Sequence, residues 1–229
     1  MNHYVLERIK QVDSKVGVFS FGRSQSARCS NKMLRSFDQT TRTDILLQKL
    51  KYFGHNAFFA ANGKKFEQKC KAHGVRFLER SQHSVEIDEP ISEILYFLET
   101  EKFSHFLIVN GCLPFLSIDT ISNFYLMCLK NNSKPAFGVV RRANFFLSSN
   151  KKPLNFLDTV ETINTKQVDE IYEFAHALYF FEKSFFVKNK CYWNWNEVEF
   201  IEMGSRYELI DVDDEEGFEF AEKLWKANW

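Results

Sequence analysis

Two short segments, near opposite ends of the chain, carry residue types suited to phosphate chemistry. The first is Gly22-Arg23-Ser24-Gln25-Ser26-Ala27-Arg28-Cys29-Ser30-Asn31-Lys32, which sets three cations among small polar residues. Arginine forks match phosphate oxygens and a lysine adds a point charge. Loop amides can complete such a cradle. Neither GxxxxGK[ST] nor GxGxxG is present, because Gly22 is the segment's only glycine. The same charges equally suit a solvated surface loop. The second segment is Asp211-Val212-Asp213. Alternate residues of an extended chain point the same way, so both carboxylates can meet one hard cation. Asp214, Glu215 and Glu216 follow, and acids at those positions also favour the first turn of a helix.

Other residues carry weaker signals. Val109-Asn110-Gly111-Cys112-Leu113-Pro114-Phe115 reads as the end of a strand turning into a pocket wall, or as a plain structural turn. With no histidine base in sequence reach, Cys112 is expected to be a buried, inert thiol. The six histidines lack metal-ligand spacing. His176 sits in an apolar run and is expected in the core, with a pocket position as the alternative. Trp193 and Trp195 are expected at an edge or subunit contact. Arg141 and Arg142 suit a solvated face or an anionic substrate.

The elements that must position these residues alternate. Val16 to Phe21 is a short β-rich run ending at Gly22, directly before the cationic segment. Thr41 to Asp44 predicts a capped helix start, continued by Ile45, Leu46, Leu50 and Phe53 and ended by Gly54. Strands are predicted at Ala57 to Ala61, Val75 to Leu78 and Phe106 to Val109. Helices are predicted through Phe66 and Cys70 to Gly74, through Ile91, Ile94, Leu95 and Leu98, and from Ser117 to Cys128. Such alternation predicts an α/β protein whose mainly parallel sheet has helices on both faces and binds ligands at its strands' carboxyl ends. After residue 134 longer β-like stretches, Ala136 to Val140, Phe174 to Phe181 and Val198 to Ile201, flank a polar segment, 147–170. This reads as an arm inserted at about 141–197 of a single domain spanning 1–229. Tyr207 to Ile210 is predicted as a strand, and a last helix presents Phe218, Ala221 and Trp225.

Composition narrows the classes. The 229 residues are 45% apolar, with 30 basic and 30 acidic side chains, so the chain can bury a core and has no net field to collect nucleic acid or an anionic membrane. No apolar run approaches the roughly 20 residues that cross a bilayer, and the first fifteen residues are too polar for a signal peptide. Five scattered cysteines fit reduced thiols and predict a cytoplasmic protein. The 25 phenylalanines predict a large core or subunit contact.

Taken in order, these segments resemble the sugar-activating cytidylyltransferases, the family of the CMP-sialic acid and CMP-Kdo synthetases. That family's first strand leads into R-x-x-S-x-R-x-P-x-K, and here Arg23, Ser26, Arg28 and Lys32 stand in register. Its chain ends in I-D-[IV]-D-x-x-x-D/E-F-x-x-A-E, matched by Ile210 to Glu222. Phe77-Leu78-Glu79-Arg80 resembles the family's strand ending in arginine. Asn110 to Leu116 stands where sialic acid synthetases carry Q-P-T-S-P-L-R. CMP-Kdo synthetases usually carry an aspartate at Asn110-Gly111, so the likeness leans toward the sialic acid branch.

The resemblance implies a three-layer, Rossmann-like nucleotidyltransferase fold whose inserted arm makes a homodimer. It implies CTP, an acidic sugar (sialic or another nonulosonic acid) and Mg²⁺, with CMP transferred and pyrophosphate released. Arg23 and Lys32 would hold the triphosphate with Ser26 and Arg28 in support, Arg80 and Asn110 would line the nucleotide pocket, and Asp211 and Asp213 would bind the metal. Glu173 and His176 fall in the stretch assigned to the acceptor, Tyr172 to Tyr179, where sialic acid enzymes read F-R-P-N-G-A-I-Y. Three departures stand out: Ser30 for the loop proline, Gly217 for an acid, and Glu173 for the arginine that meets an acidic sugar. A Kdo-like or other small acidic acceptor, and a non-catalytic nucleotide-binding or interaction protein, are the alternative readings.

Overall fold

The computed structural model describes residues 13–25, 28–159 and 162–227. Strand β1 (Val16–Phe21) alternates Val16 and Val18 toward one face with Phe19 toward the other. A small hairpin of β2 (Ser36–Phe37) and β3 (Thr40–Thr41) stands apart from the main sheet. Parallel to β1 on its two sides run β4 (Ala57–Ala61) and, later in the chain, β6 (His105–Val109), while β5 (Arg76–Glu79) extends the sheet beyond β4. The remaining strands are β7 (Ala136–Arg142), β8 (Ile171–Glu182) and β9 (Glu199–Glu202). Together they give a seven-stranded sheet in the order β5-β4-β1-β6-β8-β7-β9, with β8 antiparallel to both neighbours and every other pairing parallel.

Helices cover both faces. On one side α1 (Arg42–Leu50), α2 (Lys64–His73) and a longer helix, Ile118–Lys130, bury Leu46, Leu50, Phe66, Cys70, Ile121 and Phe124 against Val18, Phe59 and Leu107. The first of these starts as predicted: Thr41 and Asp44 exchange hydrogen bonds in a capping box, which satisfies two otherwise orphaned amides. Gly74 closes α2 at φ 69°, a conformation that favours glycine. The other face is largely phenylalanine. Phe19 stacks on Phe58 at 4.9 Å and meets Phe106 edge-on at 5.9 Å, so part of the abundance of this residue is a continuous ring-packed layer.

Two predicted elements take another form. The stretch Ile91 to Leu98 was expected as one helix. It splits into single turns: after α3 (Gln82–Glu86) comes α4 (Ile91–Ile94), then a 3-10 turn at Tyr96–Glu99. The break falls at Leu95, whose φ −109° and ψ 25° leave the helical region, and no side chain caps α4. Tyr207 to Ile210, predicted as a strand, contains a 3-10 turn, Arg206–Leu209. There the Glu208 carboxylate accepts from the Ser117 amide at the start of α5 (Ile118–Lys130), which draws the segment off any sheet edge. Residues 143–170 leave the sheet, with a bridge between Leu147 and Pro153 and a 3-10 turn at Thr165–Gln167. The last helices are α6 (Lys183–Asn189) and α7 (Glu215–Lys226).

Strand β8 carries a break that matters for the cleft. Its partners on β7 jump from Tyr179 opposite Phe137 to Phe174 opposite Val139. The intervening bulge holds His176 at φ 49°. It turns the Ala177 carbonyl to the Asn110 amide at 2.9 Å.

Because Phe19 is fully buried and meets Phe58, Phe97 and Phe106, Phe19→Ala is expected to cost about 3–5 kcal/mol. The urea midpoint should fall at unchanged slope; a loss under about 1 kcal/mol would contradict this packing.

Candidate active site

In chain order the parallel strands run outward from β1 to β4 and β5, then return to β6 on the other side of β1. Loops after β1 and β6 therefore diverge, which opens a crevice at the strands' carboxyl ends. A cavity of about 550 Å³ lies there, lined by Arg23, Arg28 and Lys32 after β1, Arg80 after β5, and Asn110 after β6. Ile87, Ile91 and Ile94 supply an apolar wall. Five of the residues picked out in the sequence thus share one cavity; Ser26 lies outside the described residues.

Each of the three loop cations is engaged by an acid. Arg23 pairs with Asp88 at 2.5 Å and also reaches the carbonyls of Val85 and Ile87. Lys32 donates to Asp213 Oδ1 at 2.9 Å and to the Val212 carbonyl at 3.1 Å. Arg28 holds Asp213 Oδ2 at 2.9 Å. Burial works against the Asp213 charge, but Lys32 and then Arg28 outweigh it and hold the carboxyl below its usual range. Asp211 behaves oppositely. It reaches solvent, yet the crevice walls strip part of its hydration, and together with the charge of Asp213 they raise its pKa against the pull of Lys32 and Arg42. Among the described residues no side-chain hydrogen bond or ion pair reaches the Asp211 carboxylate. Arg80 is buried, donates to the Gly22 carbonyl and to Ser84, and its guanidinium is pushed down to about 10 by burial and by Arg23.

Sequence reasoning missed Arg42. It is 1% exposed, and it donates to the Val212 carbonyl at 3.2 Å and the Gly111 carbonyl at 3.1 Å. Lys49, two turns on, donates to the carbonyls of Leu113 and Pro114. Helix α1 thereby fixes the post-β6 loop and the aspartate segment. Both cations fall on a helix whose apolar residues are obvious, and the sequence signal is only that they stand seven positions apart, on one side. Gly111 is pressed against this floor: an added Cβ would stand 3.0 Å from Leu46 and 3.1 Å from Met33.

Cys29 was a second omission. It is buried with Phe37, Ile45, Val212 and Phe218, so the cationic loop is pinned from beneath at the residue before Ser30. Cys112, expected to be buried, is instead half-buried beside the aspartates, because its backbone rather than its thiol is what the fold engages. The Val212 amide donates to the Cys112 carbonyl at 3.0 Å, and the Cys112 amide donates to Asn110 Oδ1 at 2.8 Å.

The acceptor candidates fall elsewhere. His176 is exposed rather than in the core, since the bulge turns it outward. Its ring lies against Phe174 at 4.2 Å, and its carbonyl accepts from Asn110 Nδ2. Glu173 pairs with Arg142 at 2.5 Å and lines a separate cavity of about 470 Å³ with Arg141, Asn144 and Arg206. Trp195 packs against Phe137 and Phe174 and remains half-exposed. No helix is long and apolar enough to cross a membrane among the described residues.

A seven-stranded, mostly parallel sheet with helices on both faces and a cleft at the strand switch is the architecture of the cytidylyltransferase fold. The chain superposes on a CMP:2-keto-3-deoxy-manno-octonic acid synthetase solved with CTP at TM-score 0.66 and 11% identity, covering 94% of this chain and all of that one. A cytidylyltransferase from Leptospira borgpetersenii serovar Hardjo-bovis gives 0.60 and 16%, covering 94% and 95%. The 4-diphosphocytidyl-2C-methyl-D-erythritol synthase of Anaerococcus prevotii gives 0.56 and 10%, covering 98% and 100%. No protein-family model matches the sequence, and no curated protein matches it. The likeness is one of fold.

The two aspartates have opposite signatures in stability. A carboxyl whose folded pKa is raised costs stability when ionised, and the cost fades as pH falls toward that pKa; a lowered one stabilises above its unfolded value and loses this in acid. Asp211→Asn is therefore expected to raise the unfolding midpoint of the ligand-free protein at neutral pH, with the gain shrinking toward about pH 4. Asp213→Asn should lower it. Thermal melts across this range decide, and the reverse ordering would overturn the assignment.

Proposed function

We propose that the protein transfers CMP from CTP to an acidic sugar and releases pyrophosphate. The observation that carries this reading is the convergence of Arg23, Arg28, Lys32, Arg80 and Asn110 on one cavity beside Asp211 and Asp213. The CTP-bound synthetase of the same fold supports the choice of nucleotide.

An acceptor hydroxyl oxygen attacks the α-phosphorus, the bond to the β-phosphate breaks, pyrophosphate leaves, and the hydroxyl proton passes to solvent. Lys32 and Arg23 grip the triphosphate and Arg28 screens its charge. Stabilising charge that builds on phosphate oxygens is the main task of such a site. Arg80 is too deeply engaged to travel, so it shapes the pocket wall beside Gly22 while Asn110, held by the β8 bulge, faces the nucleotide. Two converging carboxylates, one of them without a protein partner among the described residues, suit a divalent cation. Magnesium held by Asp211 and Asp213 would neutralise phosphate charge.

The acceptor belongs with Glu173, His176 and Arg142. A sialic or other nonulosonic acid is the first assignment and a Kdo-like sugar the second. In either case Arg142 must exchange Glu173 for the sugar's carboxylate. The half-exposed Tyr172, Trp195 and Phe200 near the β9 edge are assigned to a homodimer contact.

Thermal unfolding with CTP, ATP, GTP and UTP, each with and without Mg²⁺, tests the nucleotide. CTP with Mg²⁺ at about 100 times its dissociation constant should add roughly 2.7 kcal/mol, and Lys32→Ala should abolish the shift. Indifference to every nucleotide would sink the proposal. For the acceptor, Glu173→Gln frees Arg142 and should lower the KM for an acidic sugar several-fold, read by pyrophosphate release, with the CTP shift intact.

A further inference from the structure

Cys112 differs from the chain's core thiols. Cys29, Cys70 and Cys128 are buried among apolar side chains. Cys112 belongs to no apolar cluster among the described residues, and no hydrogen bond there engages its sulfur. Its backbone is nonetheless fixed on both sides, by Asn110 Oδ1 and by the Val212 amide. Val212 separates the two aspartates, so that second bond sets the thiol opposite their carboxylates. The Cys112 sulfur and one carboxylate oxygen from each of Asp211 and Asp213 lie within 4.8 Å of one another.

Such a trio is suited to one ion. A tetrahedral cation with a thiolate at about 2.3 Å and a carboxylate oxygen at about 2.1 Å holds those atoms about 3.6 Å apart, so small side-chain rotations close the set. Asp211 has no competing partner among the described residues. Asp213 gives one lone pair of each oxygen to Lys32 and Arg28 and keeps another. Two carboxylates alone would favour a hard ion, but a thiolate shifts preference toward zinc, cobalt and cadmium.

We propose that Cys112, Asp211 and Asp213 form a three-ligand site that binds a thiophilic divalent cation more tightly than magnesium. On binding, the sulfur–metal bond forms as the thiol proton is released to solvent. The inference builds on the proposed function, which places a metal at the aspartate pair, and it adds both a ligand and a metal class.

Titration of the metal-free protein with Co²⁺ tests it. A near-ultraviolet thiolate-to-cobalt band should grow and saturate at a single equivalent, and a tenfold excess of Mg²⁺ should leave it in place. Cys112→Ser and Cys112→Ala should each abolish the band, Asp211→Asn should weaken binding at least tenfold, and Cys191→Ser should leave the band unchanged. An absent band, a band that survives both Cys112 variants, or displacement by stoichiometric Mg²⁺ would overturn the proposal. Melts with CTP and Mg²⁺ on the same samples separate the two ideas. Stabilisation without a cobalt band removes the thiophilic site and leaves the transferase, whereas a band without stabilisation by any nucleotide does the reverse.

Discussion

The guanidinium of Arg42 joins chain segments that lie 69 and 170 residues away from it in sequence. A buried cation forfeits its hydration, and the fold must return that free energy through directed dipoles and nearby charge. Here the carbonyls of Gly111 and Val212 serve, with Asp211 close enough to feel the charge. Everything polar in the cleft hangs from this arrangement. Gly111 and Val212 adjoin Asn110, Cys112, Asp211 and Asp213, so one clamp fixes the spacing of all four. Val212 also packs with Phe218 and Ala221 of α7, which ties the last helix to the same point.

The cleft is where local rules yield. His176 accepts a left-handed backbone so that a strand can release one neighbour and cap another. Asp211 keeps a carboxylate where hydration is poor and a second acid is near. Departures of this sort concentrate at sites that bind and react, and the phenylalanine layer and capped helices supply the stability that tolerates them.

Much of the fold was legible. The runs at Val16, Ala57 and Phe106 are short, apolar and β-rich, and Thr41, Ser117 and Gly74 are helix boundaries whose chemistry is local. The cationic loop and the aspartate pair were visible for the same reason, since charge and spacing are written in single stretches. What escaped depends on distant partners. Arg42 looked like an ordinary helix residue because its acceptors are remote carbonyls. Tyr207 to Ile210 has the composition of a strand, but Glu208 is taken by Ser117. Ser30 suggested a looser loop than is found, because the anchor is the neighbouring Cys29 and its cluster. No local pattern reports that Glu173 would face Arg142 across two strands.

The pairing of every loop cation with an internal acid makes the cleft an ion exchanger already loaded with its own counter-ions. Little net field escapes into solvent, so a polyanion is not drawn in from a distance as it would be by bare positive charge. An arriving phosphate must evict Asp88 or Asp213, and every contact it gains is set against one the protein gives up. Discrimination among anions therefore rests on how long each stays rather than on how fast it arrives.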